Sequence, residues 1–184
     1  MVAAWDTERG QMPAFLGQIQ GTPTIKAFLP EGKKNKKKVL DYNGERKAKA
    51  MEKWAVGMMP SFVERVSGSE SFTKFKAKAE TYGLPILLLF SKSSSTKPLI
   101  KALSTEYRRR ILIAEIRNLD KNKKIIEEYK VSSFPTLMAF KEGEPVVFEK
   151  KPTFNRLNNF VSDFALKKPV KGKAKKKKEA KEEL

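Results

Sequence analysis

A ten-residue stretch occurs twice in this chain. Ile19-Gln20-Gly21-Thr22-Pro23-Thr24-Ile25-Lys26-Ala27-Phe28 matches Val131-Ser132-Ser133-Phe134-Pro135-Thr136-Leu137-Met138-Ala139-Phe140 at an offset of 112. Pro, Thr, Ala and Phe are identical, and the Ile/Val and Ile/Leu pairs are conservative. Self-similarity of this kind constrains the fold more than composition does, because both copies must support one local unit. Each copy runs into a Glu-Gly turn, Glu31-Gly32 or Glu142-Gly143, and then a short apolar strand at 39–42 or 146–148. An amphipathic helix follows in each. Ala48, Met51, Trp54, Ala55 and Met58 fall at spacings of three and four in the first copy. Phe154, Leu157, Phe160, Val161 and Phe164 do the same in the second, behind Thr153 as N-cap.

Upstream of the second copy the pattern predicts a strand at 62–66 and a helix at about 69–82, with Phe72, Phe75 and Ala79 on one face. A buried strand at 85–90, a helix from 98 to about 107, a strand at 111–116 and a short helix at 121–129 follow. The order β-α-β-α-β-α-β-β-α predicts a mixed sheet with helices on both faces. The 184 residues suit one domain or two small ones, and 40% apolar content is enough for a packed core.

This arrangement resembles the thioredoxin fold, and X-Pro-Thr before an apolar strand resembles that fold's cis-proline motif. The resemblance covers 61–166 as a complete α/β thioredoxin-like domain. Residues 1–60 resemble the C-terminal half of a second one. There Gly21-Thr22-Pro23-Thr24 and the later Tyr42-Asn43-Gly44-Glu45-Arg46 are close to the protein disulfide isomerase version of that half. The offset of 112 places Val2 opposite Ala114, so the first copy lacks counterparts of roughly residues 62–113. In the family that half holds the first helix and the Cys-X-X-Cys site. The expectation is that Met1 is not the natural start of the functional protein. The alternative is a short protein whose first segment packs on the complete domain or on a partner.

The chain has neither cysteine nor histidine. That excludes disulfides, thiolate nucleophiles, Cys-based metal sites, and triads relying on Cys or His. In the family, the active site follows the buried strand and opens the next helix. Here that region reads Ser91-Lys92-Ser93-Ser94-Ser95-Thr96-Lys97-Pro98, and the resemblance puts Ser95 and Pro98 where two cysteines would stand. Ser95, Thr96, Lys97 and Pro98 therefore form a degenerate active-site position. Hydroxyls cannot form the mixed disulfide of thiol exchange, and the domain resembles the redox-inactive, b-type modules of the isomerases. No catalytic residue, cofactor or metal is expected. Asp120 with Glu127 and Glu128 does not match a calcium loop, and no carboxylate constellation supports an enzyme of another kind.

The resemblance implies that Thr22-Pro23 and Phe134-Pro135 are cis and that these loops can pair with an extended peptide. Phe134 suits either an aromatic contact to such a peptide or core packing. Trp54, Met58, Met59 and Phe62 suit an adaptable binding surface or helix and inter-domain packing, with packing preferred.

Charge divides the remaining readings. The formal net charge is +18, and residues 167–184 hold nine lysines and three glutamates with almost no large apolar residue after Val170, a composition that predicts a disordered tail. A second cluster, Lys33-Lys34-Asn35-Lys36-Lys37-Lys38, reads as a loop. Both clusters suit phosphate attraction or a solvated face. Neither interleaves aromatics that would stack bases, which disfavours nucleic acid. The chain ends Lys181-Glu182-Glu183-Leu184, one methylene from the Lys-Asp-Glu-Leu retrieval signal. A Lys/Glu-rich tail produces such an ending by chance, whereas the terminal Leu in a tail otherwise lacking it argues for the signal. No stretch approaches the roughly 18 apolar residues of a membrane span. The reading these features support is a protein-folding factor of the endoplasmic reticulum lumen. This chain would supply non-covalent binding of unfolded clients and engage a retrieval receptor, after entry by a signal peptide that it lacks. The alternative is a polybasic, non-enzymatic module for anionic partners, nucleic acid or a membrane surface.

Overall fold

The computed structural model describes residues 4–6, 8–9, 13–19, 21–29, 38–141 and 143–171. The Glu31-Gly32 turn, Glu142, most of the 33–38 lysine cluster and the tail beyond 171, with its last four residues, lie outside them. The chain divides into two compact units, Met1–Met58 and Met59–Leu184.

The first unit contains a 3-10 turn at Ala14–Leu16, strands β1 (Lys26–Leu29) and β2 (Lys38–Asp41), and helix α1 (Ala48–Met58). β1 and β2 pair antiparallel with Lys26 opposite Asp41. Among its described residues none is buried, and Phe15 and Phe28 meet edge to face while remaining 65% and 49% exposed. A two-stranded hairpin and one helix bury too little apolar surface to form a core of their own.

The second unit runs β3 (Glu64–Val66), α2 (Ser69–Tyr82), β4 (Ile86–Ser91), α3 (Pro98–Glu106), β5 (Leu112–Arg117), a 3-10 turn at Asp120–Asn122 leading into α4 (Lys123–Glu128), β6 (Thr136–Lys141), β7 (Glu144–Val147) and α5 (Phe154–Ser162). The sheet order is β3-β5-β4-β6-β7. β3 and β4 lie parallel to β5, and β6 and β7 are antiparallel. This is a thioredoxin-like α/β sheet of mixed direction with helices on both faces. β4 is central, which is why its sequence is apolar at every position from Ile86 to Phe90 rather than alternating.

Alternation along the strands distributes the core to the two faces. Leu88, Phe90, Ala114, Ile116 and Met138 pack with Phe72, Phe75 and Ala79 of α2 and Ile125 of α4. Leu87, Leu89, Ile113, Leu137 and Ala139 pack with Ile100 and Leu103 of α3 and Leu157 and Val161 of α5. Each fully buried Leu, Ile or Phe contributes on the order of 1.5–3 kcal/mol relative to exposure. A buried amide fixes the corners: Asn122 accepts the Gly68 N–H at 2.8 Å and donates to the Arg117 carbonyl at 2.8 Å. α5 begins at its expected N-cap, the Thr153 side chain accepting the Arg156 N–H at 3.4 Å.

The chain stays on this domain past the expected boundary at 166. The Arg110 guanidinium donates to the Leu166 carbonyl at 2.6 Å, and the Val170 N–H donates to the Arg109 carbonyl at 2.9 Å. Half-buried Val170 is the last apolar residue among those described. No helix among the described residues is long and apolar enough to cross a membrane.

Candidate functional site

The apolar run of β4 ends at Ser91, and the following serines offer nothing to bury. The chain turns there on local hydrogen bonds: the Ser93 N–H donates to Ser91 Oγ at 2.9 Å, and the Ser93 hydroxyl donates to the Ser95 carbonyl at 2.8 Å. Pro98 opens α3 at a position where its missing N–H has no helical partner to lose. Between them Thr96 turns inward, 8% exposed, and its hydroxyl donates to Glu115 Oε2 at 2.6 Å. Glu115 is 1% exposed on β5. A buried carboxylate requires a donor, and the loop between β4 and α3 provides one.

The second segment of the site precedes β6. The Phe134-Pro135 bond is cis, as is Thr22-Pro23 in the first unit. The residue after each proline makes the same contact: the Thr136 hydroxyl donates to the Ser133 carbonyl at 2.6 Å, and the Thr24 hydroxyl to the Gly21 carbonyl.

A pocket of about 450 Å³ lies between the 92–97 loop and the Phe134-Pro135 loop, within the roughly 300–1,000 Å³ of typical ligand sites. Leu89, Ile100, Leu137 and Leu157, all buried, form its inner surface together with Glu115. Phe134, Pro135 and Phe148 line it nearer the solvent, and Lys92, Lys97 and Lys150 stand exposed around it. The Lys92 ammonium sits 5.3 Å from the centroid of the Phe134 ring.

The expected positions thus separate. Phe134, Pro135 and Lys97 line the pocket. Thr96 supports it from behind through Glu115. Ser95 and Pro98 are exposed and lie outside the lining. In the first unit Pro23 lines a different, polar pocket with Gln18, Tyr42 and Arg46, and exposed Thr22 is not part of it. There the Arg46 guanidinium donates to the Pro23 carbonyl at 2.7 Å, so this loop is already engaged. The Tyr42 hydroxyl donates to the Glu45 carbonyl at 2.6 Å, and a side chain at Gly44 would lie 2.8 Å from the Tyr42 ring. Trp54 packs on Tyr42 at 5.0 Å between centroids. In the second unit Phe62 carries the Arg108 guanidinium at 4.2 Å. Asp120 pairs with Lys123 at 2.8 Å, which holds its carboxyl below the usual value.

Sequence reasoning missed Glu115, Lys92 and Lys150. Glu115 had a signal, being the one acid in the apolar run 111–116. Without thiol or imidazole, the side chains around this pocket can hold an apolar group and attract carboxylates, and they have no group for covalent exchange.

A thioredoxin family model matches residues 91–163. A Dictyostelium discoideum protein with a provisional protein disulfide-isomerase name is 34% identical over 160 residues, covering 82% of this chain and 36% of that protein. A thioredoxin of Porphyra purpurea is 33% identical over 98 residues, covering 48% of this chain and 91% of the thioredoxin. Among solved structures, thioredoxin O1 of Arabidopsis thaliana aligns with a TM-score of 0.46 at 21% identity, covering 56% of this chain and 98% of that one. The chain spans about a third of the Dictyostelium protein's length.

Proposed function

This chain belongs to the thioredoxin family, and from that premise we propose that it binds extended protein segments non-covalently, as a redox-inactive part of a protein-folding factor. The observation that carries this reading is the apolar pocket between the 92–97 loop and the cis Phe134-Pro135 loop, at the family's active-site position but without a thiol. An apolar side chain of a client fits there, while the exposed edge of the cis-proline loop is available to its backbone. Similarity to a protein with an isomerase name supports a role in folding. The test is binding of an unfolded, carboxymethylated protein to the chain and to Phe134→Asp. Phe134 also packs against the core on the α2 side of the sheet, so the comparison is made at a temperature where circular dichroism shows both chains folded. The reading expects at least a tenfold weaker complex, and undiminished binding would contradict it.

On the same reading, residues 1–60 are the second half of another thioredoxin-like domain. The order β1-β2-α1 after a cis proline parallels β6-β7-α5, the Thr24 and Thr136 contacts are alike, and none of the described residues of Met1–Met58 is buried. Residence in the endoplasmic reticulum lumen is proposed from Lys181-Glu182-Glu183-Leu184. Appending residues 167–184 to a secreted reporter should retain it inside the cell, and full secretion would reject this address.

A further inference from the structure

Three cations from two separate segments, the 92–97 loop and the stretch after β7, surround the apolar pocket. Lys92 follows β4, Lys97 precedes the first turn of α3, and Lys150 lies between β7 and α5. None pairs with a carboxylate among the described residues, although other lysines of the chain do. The contact of Lys92 with the Phe134 ring holds one of these charges over the cis-proline loop. The N-terminal end of α3 adds positive potential on the same side. The one carboxylate of the lining, Glu115, is buried at the inner end and engaged by Thr96. The pocket is therefore apolar within and positively charged at the rim.

That arrangement selects among client segments. An acidic side chain entering the pocket would lose its hydration among buried apolar side chains, at high cost for a charge. An apolar side chain meets Leu89, Ile100, Leu137 and Leu157. Carboxylates to either side of it would reach the lysines. We propose that the partner class of this site is an extended protein segment carrying a large apolar residue flanked by Asp or Glu. The proposal rests on the peptide-binding reading above and adds its charge selectivity.

Exposed lysine–carboxylate pairs each change an equilibrium by a factor of about 1.5 to 5, so three lysines acting together should contribute roughly tenfold. The test is fluorescence polarisation of labelled peptides with the full chain. One peptide has a central Leu-Phe flanked by Glu, a second has Lys in place of Glu, and a third keeps Glu but has Ser in place of Leu-Phe. The first should bind at least tenfold tighter than either of the others. Lys92→Glu/Lys97→Glu/Lys150→Glu should remove that preference. Lys124→Glu/Lys167→Glu/Lys168→Glu, with the same net charge but outside the pocket, should keep it. Gln at the three pocket positions gives the same comparison, with a smaller loss, where the Glu variant does not fold. Equal binding of the Lys-flanked peptide, or equal loss in both triple variants, overturns the charge selectivity. Single-stranded RNA binding more tightly than the acidic peptide, with the same dependence on the pocket lysines, overturns it in favour of a nucleic-acid partner. Failure of all three peptides to bind would instead remove the peptide-binding reading itself.

Discussion

Thr96 and Arg117 show how differently two polar groups near the same sheet face are accommodated. Thr96 gives the buried Glu115 its hydrogen bond. Thr96→Val keeps the shape and removes the donor, so it should destabilise the domain by about 1–3 kcal/mol, the usual cost of a buried polar group left without its partner. Chemical denaturation checks this, and Thr96→Ser should restore most of the loss. Two residues beyond Glu115, the Arg117 Nε and one terminal nitrogen are buried without a hydrogen-bond partner among the described residues. Buried donors left unpaired cost about 1–3 kcal/mol. Arg117→Met should therefore raise stability, by roughly 1 kcal/mol in the same experiment. Neither relation was legible in the sequence. Thr96 and Glu115 are 19 positions apart, and only the parallel pairing of β4 with β5 brings the intervening loop over the acid.

At the scale of elements, the second half of the molecule was largely legible because period and local chemistry agree. The repeat of Phe72, Phe75 and Ala79 marks the buried face of α2, and Gly83, at φ +58°, ends it in the left-handed conformation suited to glycine. The second apolar strand was expected at 146–148, whereas β7 is Glu144–Val147. Pro145 obscured its start. Proline is tolerated there because β7 is an edge strand with one side free of ladder hydrogen bonds. Immediately after α4, Tyr129 packs against Phe72, Phe90 and Phe140. Burial raises its phenol above the ordinary value of 10.0, with the neighbouring Glu128 adding to the shift. The fold thus favours the protonated phenol. Its contribution is intact below pH 10, and it is lost as pH rises through the higher folded-state value. Unfolding titrations above pH 10 should show a shallower decline for Tyr129→Phe than for the parent chain. Parallel declines would contradict the assignment.

For the whole molecule, the repeat announced two related units, and the structure assigns them unequal resources. Every buried apolar residue of the described chain lies at or beyond Val66. A fragment of residues 59–171 should therefore unfold in one cooperative transition, and a fragment of residues 1–58 should show none, by thermal circular dichroism. The absence of cysteine was readable at once, but the pocket was not. The pocket takes one residue, Lys97, from the four positions at which the family's motif would stand. Lys92 stands earlier in the same loop, and Lys150 comes from a segment that no local pattern connects to it. What the sequence could not supply was the spatial meeting of the 92–97, 134–135 and 148–152 segments around one apolar cavity.

The claim that this meeting place binds peptides is tested most directly by amide chemical-shift mapping of the full chain during titration with the Glu-flanked apolar peptide. Saturable shifts should concentrate at Ser91, Lys92, Ser93, Lys97, Phe134 and Phe148, with little change along α2 and α4 on the opposite sheet face. Shifts centred on that opposite face, or no saturable shift in the pocket segments, would contradict the account.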